Sequence, residues 1–343
     1  MAVTIKDVAR ETNLAISTIS KYMNGGTVRH ENRVLIEAAV QKLGYSPNRS
    51  ARGLRTSKTY MIGLVTGRVN SPHTAAIVSG IEKRFRELGY SVIFATHEEN
   101  GVQIEDYLEY LLERGVDGII SSPIAAGGDC LKRAVEQNIP VLVVEENSGE
   151  MRTDCVQVDC CGGAYQIVEH LIESGHHRIA IIKGPENKLT ARERLRGYFR
   201  VLEDYGYPVR QDYLIPGDFT YQSGYKGIMK LWELEEKPSA VFVSNYDMCL
   251  GAMAAVHNLD IRVPEALSVV SFDDFELSVM VRPKLTTIRQ PLEEMANAAC
   301  DLLYRRIQGD YSDFPKKIRL KTQCIYRDSV KTYTRGEGDD IFD

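Results

Sequence analysis

The 343-residue chain is predicted to fold as a small all-α head followed by a larger α/β body. Three observations predict this. Two short amphipathic segments and a longer third occupy the amino-terminal end, whereas short apolar runs alternate with amphipathic stretches through the rest. Charge is also divided between the two parts: residues 1–59 carry ten Lys or Arg against four Asp or Glu, while the whole chain has a net charge of −5. A basic head on an acidic body is the electrostatic footprint of nucleic-acid binding.

The head opens at Thr4, three residues ahead of Asp7. A threonine hydroxyl there can accept a backbone N–H while the carboxylate favours the positive end of a helix, so a short helix begins. Ile5, Val8 and Ala9 form its apolar face, and 12–14 reads as a tight turn. In the second helix Ile16, Ser17, Thr18, Ser20 and Lys21 project hydroxyls and a cation outward, while Ile19 and Met23 close against the first. This is helix-turn-helix grammar, in which the second helix enters a major groove. Paired amphipathic helices also occur in proteins that bind no nucleic acid, and the basic charge favours the groove reading. Residues 31–43 repeat Val34, Leu35, Ala38, Ala39 and Leu43 at helical spacing and stop at Gly44, completing three helices. Residues 45–57 then surround one large apolar residue, Leu54, with Arg49, Arg52 and Arg55. Two readings stand: a solvated tether whose leucine packs on the body, or a segment that orders on DNA with Leu54 wedged between base steps.

In the body, apolar runs at 61–66, 91–95, 118–121, 141–144, 179–182, 240–243 and 267–271 have strand length. Amphipathic stretches at 77–88, 104–114, 165–174 and 192–205 alternate with them, which predicts parallel sheets with helices on both faces. Residues 292–306 read as a helix and 318–326 as a closing strand, followed by a charged tail past Ser329. Ligands of open α/β sheets bind outside the carboxyl ends of the strands. The residues placed there are Asn70, Ser71, His73, Asp159, Asn245, Asp247, Asp273 and Asp274, with Arg194 opening the helix after 179–182 and Phe219 following Gly217 and Asp218. Each acidic residue among them could instead cap a helix or sit in a solvated loop, Asp274 first of all.

Composition excludes several classes. Seven cysteines show no CxxC spacing or paired framework, so they read as reduced thiols, and the neighbours Cys160 and Cys161 lack a third metal ligand nearby. The amino terminus turns polar at once and no apolar run approaches membrane-spanning length, which leads to the expectation of a cytoplasmic chain with no membrane partner. An enzyme with a nucleotide-binding sheet would share the strand and helix alternation. However, no G-x-G-x-x-G follows the first strand, no P-loop is present, and His97, His170, His176, His177 and His257 stand in ordinary contexts. Neither catalysis nor a cofactor is expected. A solute-binding protein that feeds a transporter would share the body but lack the basic head.

The stretches TIKDVARETN, ISTISKYMNG and KLGYSPNRSARGLRTSKTYMIGLV resemble the head and hinge of the lactose-repressor (LacI/GalR) family of bacterial transcription regulators. The similarity continues through GVDGIISSP, VEHLIESGHHRIAII, RERLRGY, PSAVFVSN, VPEALSVVSFDD and PKLTTIRQP. It implies a helix-turn-helix DNA-binding domain at 1–46, a hinge at 47–59, a two-lobed effector and dimerisation domain of type I periplasmic-binding-protein architecture at 60–330, and a flexible tail at 331–343. It also implies a homodimer on near-palindromic double-stranded operator DNA, repressing carbohydrate-utilisation genes under control of a small sugar-like effector between the lobes. Phosphate contacts would come from Thr4, Thr18, Asn24 and the basic hinge, Arg52 included, where Leu54, beside Ala51, wedges into the minor groove. Ile16, Ser17 and Lys21 would read base edges. Arg194, Asn245 and Asp273 fall on positions that hydrogen-bond effector in the family, and Phe219 on one where an aromatic face stacks on it. Ser71, His73, Asp159 and Asp247 complete the expected set. A guanidinium and a carboxylate grip vicinal hydroxyls, which suits a polyol.

The chain departs from the family pattern at several places. Ala15 and Arg29 stand where helix caps are usual, His73 and Thr74 replace an aromatic pair, and Asn245-Tyr246-Asp247 replaces the usual Asn-Asp. A second reading inside the family is a catabolite-control regulator whose partner is a phosphorylated carrier protein.

Overall fold

A computed structural model of the chain describes residues 3–23, 26–45, 58–67, 69–96, 104–122, 128–145 and 152–333. The chain divides into two compact units, Met1–Tyr60 and Met61–Asp343.

The first unit contains α1 (Ile5–Thr12), α2 (Ile16–Met23) and α3 (His30–Leu43). A capping box closes the start of α1, with Asp7 Oδ2 accepting from the Thr4 backbone N–H at 2.9 Å and from its hydroxyl at 2.7 Å. Thr12 belongs to this helix and not to the turn expected at 12–14: its hydroxyl donates to the Val8 carbonyl at 2.8 Å, and Asn13, at φ 52°, makes the turn. α3 lacks a side-chain cap at Arg29, as its sequence implies, and ends where Gly44 takes φ 62°. Val8, Ile19, Ile36 and Ala39 are buried together, and Met23, Leu14 and Tyr45 pack around them. Each large aliphatic buried in such a core contributes about 1.5–3 kcal/mol, so three short helices hold together without a sheet.

The second unit builds two six-stranded sheets. The amino-terminal lobe contains β1 (Met61–Thr66), α4 (Pro72–Glu87), β2 (Ser91–Thr96), α5 (Ile104–Glu113), β3 (Gly118–Ser121), α6 (Gly128–Glu136), β4 (Val141–Val144) and β5 (Asp154–Val158). The chain then crosses to the carboxyl-terminal lobe for α7 (Cys160–Glu173), β6 (Ile179–Lys183), α8 (Leu189–Asp204), β7 (Leu214–Pro216), α9 (Tyr221–Glu233), β8 (Ala240–Val243), α10 (Tyr246–Asn258), β9 (Ser268–Phe272), α11 (Leu277–Met280) and β10 (Thr286–Arg289). It returns with α12 (Leu292–Ile307) and β11 (Lys317–Leu320) and ends on β12 (Gln323–Ile325) in the second sheet. The strand orders are β11-β5-β4-β3-β1-β2 and β12-β10-β9-β8-β6-β7. Every pairing is parallel except β10 with β12.

The single closing strand expected at 318–326 is two strands. β11 pairs with β5 and β12 with β10, and Lys321 and Thr322 carry the chain between the sheets. β5, β7 and β10 had no apolar run long enough to mark them. The first residues of the tail expected from 331 are held, because the Lys331 N–H donates to Ser268 Oγ and the Tyr333 N–H to the Ser174 carbonyl, each at 2.9 Å. The remainder of the expected tail lies outside the described residues.

Central strands are apolar on both faces because helices cover both. On β8, Val241 and Val243 join one core cluster while Ala240 and Phe242 join the other. In the first lobe a fully buried ion pair joins α12 to β5: Arg306 reaches Asp154 at 2.7 and 3.1 Å.

Candidate functional site

The head presents one face of α2. Ile16, Ser17 and Lys21 are exposed, and Ser20 is half-buried beside them, whereas Ile19 points into the core. At about 100° per residue these four side chains share an arc of roughly 140°, narrow enough to enter a major groove together. Thr4 is exposed and Thr18 half-buried. At its first turn Ala15 has no side-chain oxygen to offer, and its carbonyl accepts from the Thr18 and Ile19 N–H groups. The far end of α2 is held where the Gly26 N–H donates to the Lys21 carbonyl at 2.8 Å. A Cβ on Gly26 would lie 2.9 Å from that oxygen, so only glycine fits. Tyr22 of α2 donates to Glu37 of α3 at 2.5 Å, and Arg33 holds the same carboxylate at 2.8 Å. Asn24, Ala51, Arg52 and Leu54 lie outside the described residues.

In the body, the carboxyl ends of both sheets line one cleft of about 430 Å³. Seven of the eight effector residues expected from sequence stand in it: Ser71, His73, Arg194, Phe219, Asn245, Asp247 and Asp273. Arg194 does not open its helix; it sits in the second turn of α8, 5% exposed. Its Nη1 donates to the Ser244 carbonyl at 2.6 Å, its guanidinium lies 3.8 Å from the Phe272 ring centroid, and its buried Nε has no partner. A desolvated donor left unpaired is costly, and a ligand oxygen would relieve that cost. Phe219, held at φ 65°, brings its ring within 5.8 Å of the same guanidinium. Gly184 makes room for that ring, since a Cβ there would come within 2.2 Å of it.

Asp273, at φ 77°, accepts from Gln290 Nε2 at 2.5 Å and from the Tyr246 N–H at 3.3 Å. Asn245 caps α10 through the Met248 N–H at 3.1 Å and turns its amide toward the Phe219 carbonyl at 3.4 Å. Ser71 likewise caps α4 through the Thr74 N–H. Burial and the neighbouring Asp273 push the Asp247 carboxyl above the usual carboxylate value.

Across the cleft His73 Nε2 lies 3.0 Å from Glu145 Oε1. Burial alone would lower His73, but Glu145, and Asp273 beyond it, outweigh burial and hold the imidazole above its ordinary value. The same pair, against burial, holds Glu145 below the usual range. Glu145 directly follows the apolar run 141–144, so the strand-end rule reaches it although it was not among the expected residues. Lys188 and Thr190 also line the cleft and carry no sequence signal, because they sit at the cap and in the first turn of α8 and not directly at a strand end.

Asp159 is the exception among the expected effector residues. Its carboxylate accepts from the Gly162 N–H at 3.0 Å as the cap of α7, and it lines a separate recess. It stands at the end of β5, the strand that leads out of the first lobe, so the strand-end rule points away from the cleft there. Asp274 is structural, though neither the helix cap nor the solvated loop that the alternative offered: burial is outweighed by Arg327, Thr287 and Arg289, which hold it at about 2. Cys160 and Cys161 are buried in α7, and no metal-binding cluster of His, Cys, Asp or Glu occurs among the described residues.

Residues 4–48 match the model of bacterial regulatory proteins of the lacI family, and 168–330 match a periplasmic binding protein-like domain. Catabolite control protein A of Priestia megaterium is 32% identical over 333 residues, which cover 96% of this chain and 100% of that protein. The chain belongs to the lacI family of bacterial regulatory proteins. Among solved structures of similar chains, the Lac repressor dimer bound to operator and the anti-inducer ONPF has a TM-score of 0.83 at 29% identity, covering 96% of this chain and 100% of that one. The transcriptional regulator CelR in complex with cellobiose has a TM-score of 0.74 at 30% identity, covering 95% and 99%. As a lacI-family member the chain is a DNA-binding transcription regulator, and no helix among its described residues is long and apolar enough to cross a membrane.

Proposed function

We propose that this regulator represses carbohydrate-utilisation genes as a cytoplasmic homodimer on a near-palindromic operator, and that a sugar-like effector in the cleft controls its grip. The observation that carries the effector reading is Arg194, a buried cation with an unpartnered donor, set beside an aromatic ring and the Asp273 carboxylate. Such a group meets vicinal hydroxyls in plane while Phe219 covers a C–H face. The cellobiose complex of a relative supports a carbohydrate ligand, and the operator-bound dimer of another supports the assembly.

On DNA, Ile16, Ser17 and Lys21 read base edges, while Thr4, Thr18, Asn24 and Arg52 contact phosphates. Leu54, flanked by Ala51, wedges into the minor groove. The effector bridges residues of both lobes and so favours the closed arrangement about the three interlobe crossings. The chain turns over no substrate and needs no cofactor.

The test is a thermal-shift screen against pentoses, hexoses, sugar acids and their phosphates, followed by operator binding with each hit. A cleft ligand that binds only the folded state raises the melting temperature, by about 2.7 kcal/mol of stabilisation at a hundred times Kd. Catabolite control by a phosphorylated carrier protein is the second reading, favoured by the similarity to catabolite control protein A. Sugar binding in the absence of any protein partner decides for the first reading. A melting point that moves with no sugar decides against it.

A further inference from the structure

A second recess, of about 330 Å³, lies where the chain passes between the lobes and shares no lining residue with the cleft. Arg196 and Arg200 enter it from α8 in the carboxyl-terminal lobe, and Arg319 enters it from β11 in the amino-terminal lobe. Asp159 is its one carboxylate, already engaged by the Gly162 N–H. We propose that this recess is a binding site for a small phosphate-bearing anion, distinct from the effector cleft.

Four residues apart on a helix, Arg196 and Arg200 share a face and repel each other unless an anion lies between them. Arg196 pairs with Glu193 at 2.6 Å and donates to Cys161 Sγ at 3.5 Å, and Arg200 lies 3.8 Å from Asp204 and over the Tyr165 ring, with both guanidinium side chains more than 60% exposed. Ion pairs that exposed are weak, and a phosphate offers each guanidinium two parallel hydrogen bonds instead. The Arg319 side chain is exposed and makes no hydrogen bond or ion pair among the described residues. Lys317 alternates with it on the same side of β11, and its side chain likewise makes no hydrogen bond or ion pair among the described residues. Lysines on an edge strand serve to keep other strands from pairing there. That use does not account for an arginine meeting two more from the other lobe over one cavity. Three arginines against one occupied carboxylate call for a ligand with two or more negative charges. Because those arginines come from both lobes, the anion binds some lobe arrangements better than others and is thereby coupled to the cleft.

The probe is inorganic pyrophosphate, titrated calorimetrically into the full chain at about 0.15 M salt, where long-range attraction is screened. Saturable binding of one pyrophosphate per chain is expected. Arg319→Ala, and separately the pair Arg196→Ala with Arg200→Ala, should weaken it by about tenfold or more, as losing charge-assisted bonds does. Lys21→Ala and Arg194→Ala should leave it unchanged, which separates the recess from the head and from the cleft. No saturable binding, or affinity equal to the parent's in both Arg319→Ala and the Arg196→Ala, Arg200→Ala pair, would overturn the proposal. Arg319 lies exposed on an edge strand, so its variant reports on binding even if the α8 pair disturbs packing.

Discussion

Arg194 concentrates the chemistry of the cleft in one side chain. Buried cations are tolerated when their donors are satisfied, yet here one nitrogen has no partner while Ser244 and Phe272 occupy the rest of the group. Arg194→Ala should therefore cost effector binding about 2–5 kcal/mol and spare operator affinity, as calorimetry and fluorescence anisotropy on the same preparation would show. His73 and Glu145 add a pH dependence. The raised value of His73 contributes stability that is whole below the ordinary histidine value of 6.5 and fades as pH climbs through the raised one. The depressed value of Glu145 contributes stability above the ordinary 4.5 that is lost as pH falls through the lowered one. The pair thus stabilises the body most between those two ordinary values. The melting temperature of the parent should drop on alkaline titration more than that of His73→Gln, and parallel curves would contradict the assignment.

At the scale of elements, the recognition helix depends on how its last turn is held. Gly26 brings its backbone against the Lys21 carbonyl, where a methyl group has no room. Gly26→Ala should strain the head by about 1–3 kcal/mol and lower operator affinity while effector binding stays intact. Lys21→Ala should relax preference at one base pair per half-site, worth about 1–3 kcal/mol. A selection of bound sequences with an unchanged profile would remove Lys21 from the reading face. The Lys21 outcome traces to amphipathic spacing legible in residue order, whereas the Gly26 contact shows only in the structure. The short strands β5, β7 and β10 were not legible. β5 reads DCVQV, and its burial comes from β4 and β11 on either side, not from its own apolar content.

For the whole molecule, two lobes joined at three crossings make a body that can close about its ligand. Effector and operator are then linked reciprocally: whatever factor the effector imposes on DNA affinity, operator DNA must impose on effector affinity. Such factors run from about 5 to about 150. Measuring both directions on one preparation should return the same number, and unequal factors would mean that the two ligands act on different states of the chain. The 318–326 segment belongs to this scale as well. Its residues alternate like one strand, and only the presence of two sheets, each with an open edge, divides them at Lys321 and Thr322.

By itself the sequence determined the three-helix head, the parallel α/β body, the family, and seven of the cleft residues. Local periodicity and strand-end chemistry are properties of neighbours along the chain, so residue order records them. Tertiary structure alone decided that Asp159 caps a helix away from the cleft, that Asp274 is held by Arg289 and Arg327, and that Glu145 faces His73. Each of those outcomes depends on which distant strand end comes to lie opposite, and a charge acquires its role only from the group that folding places within a few ångströms of it.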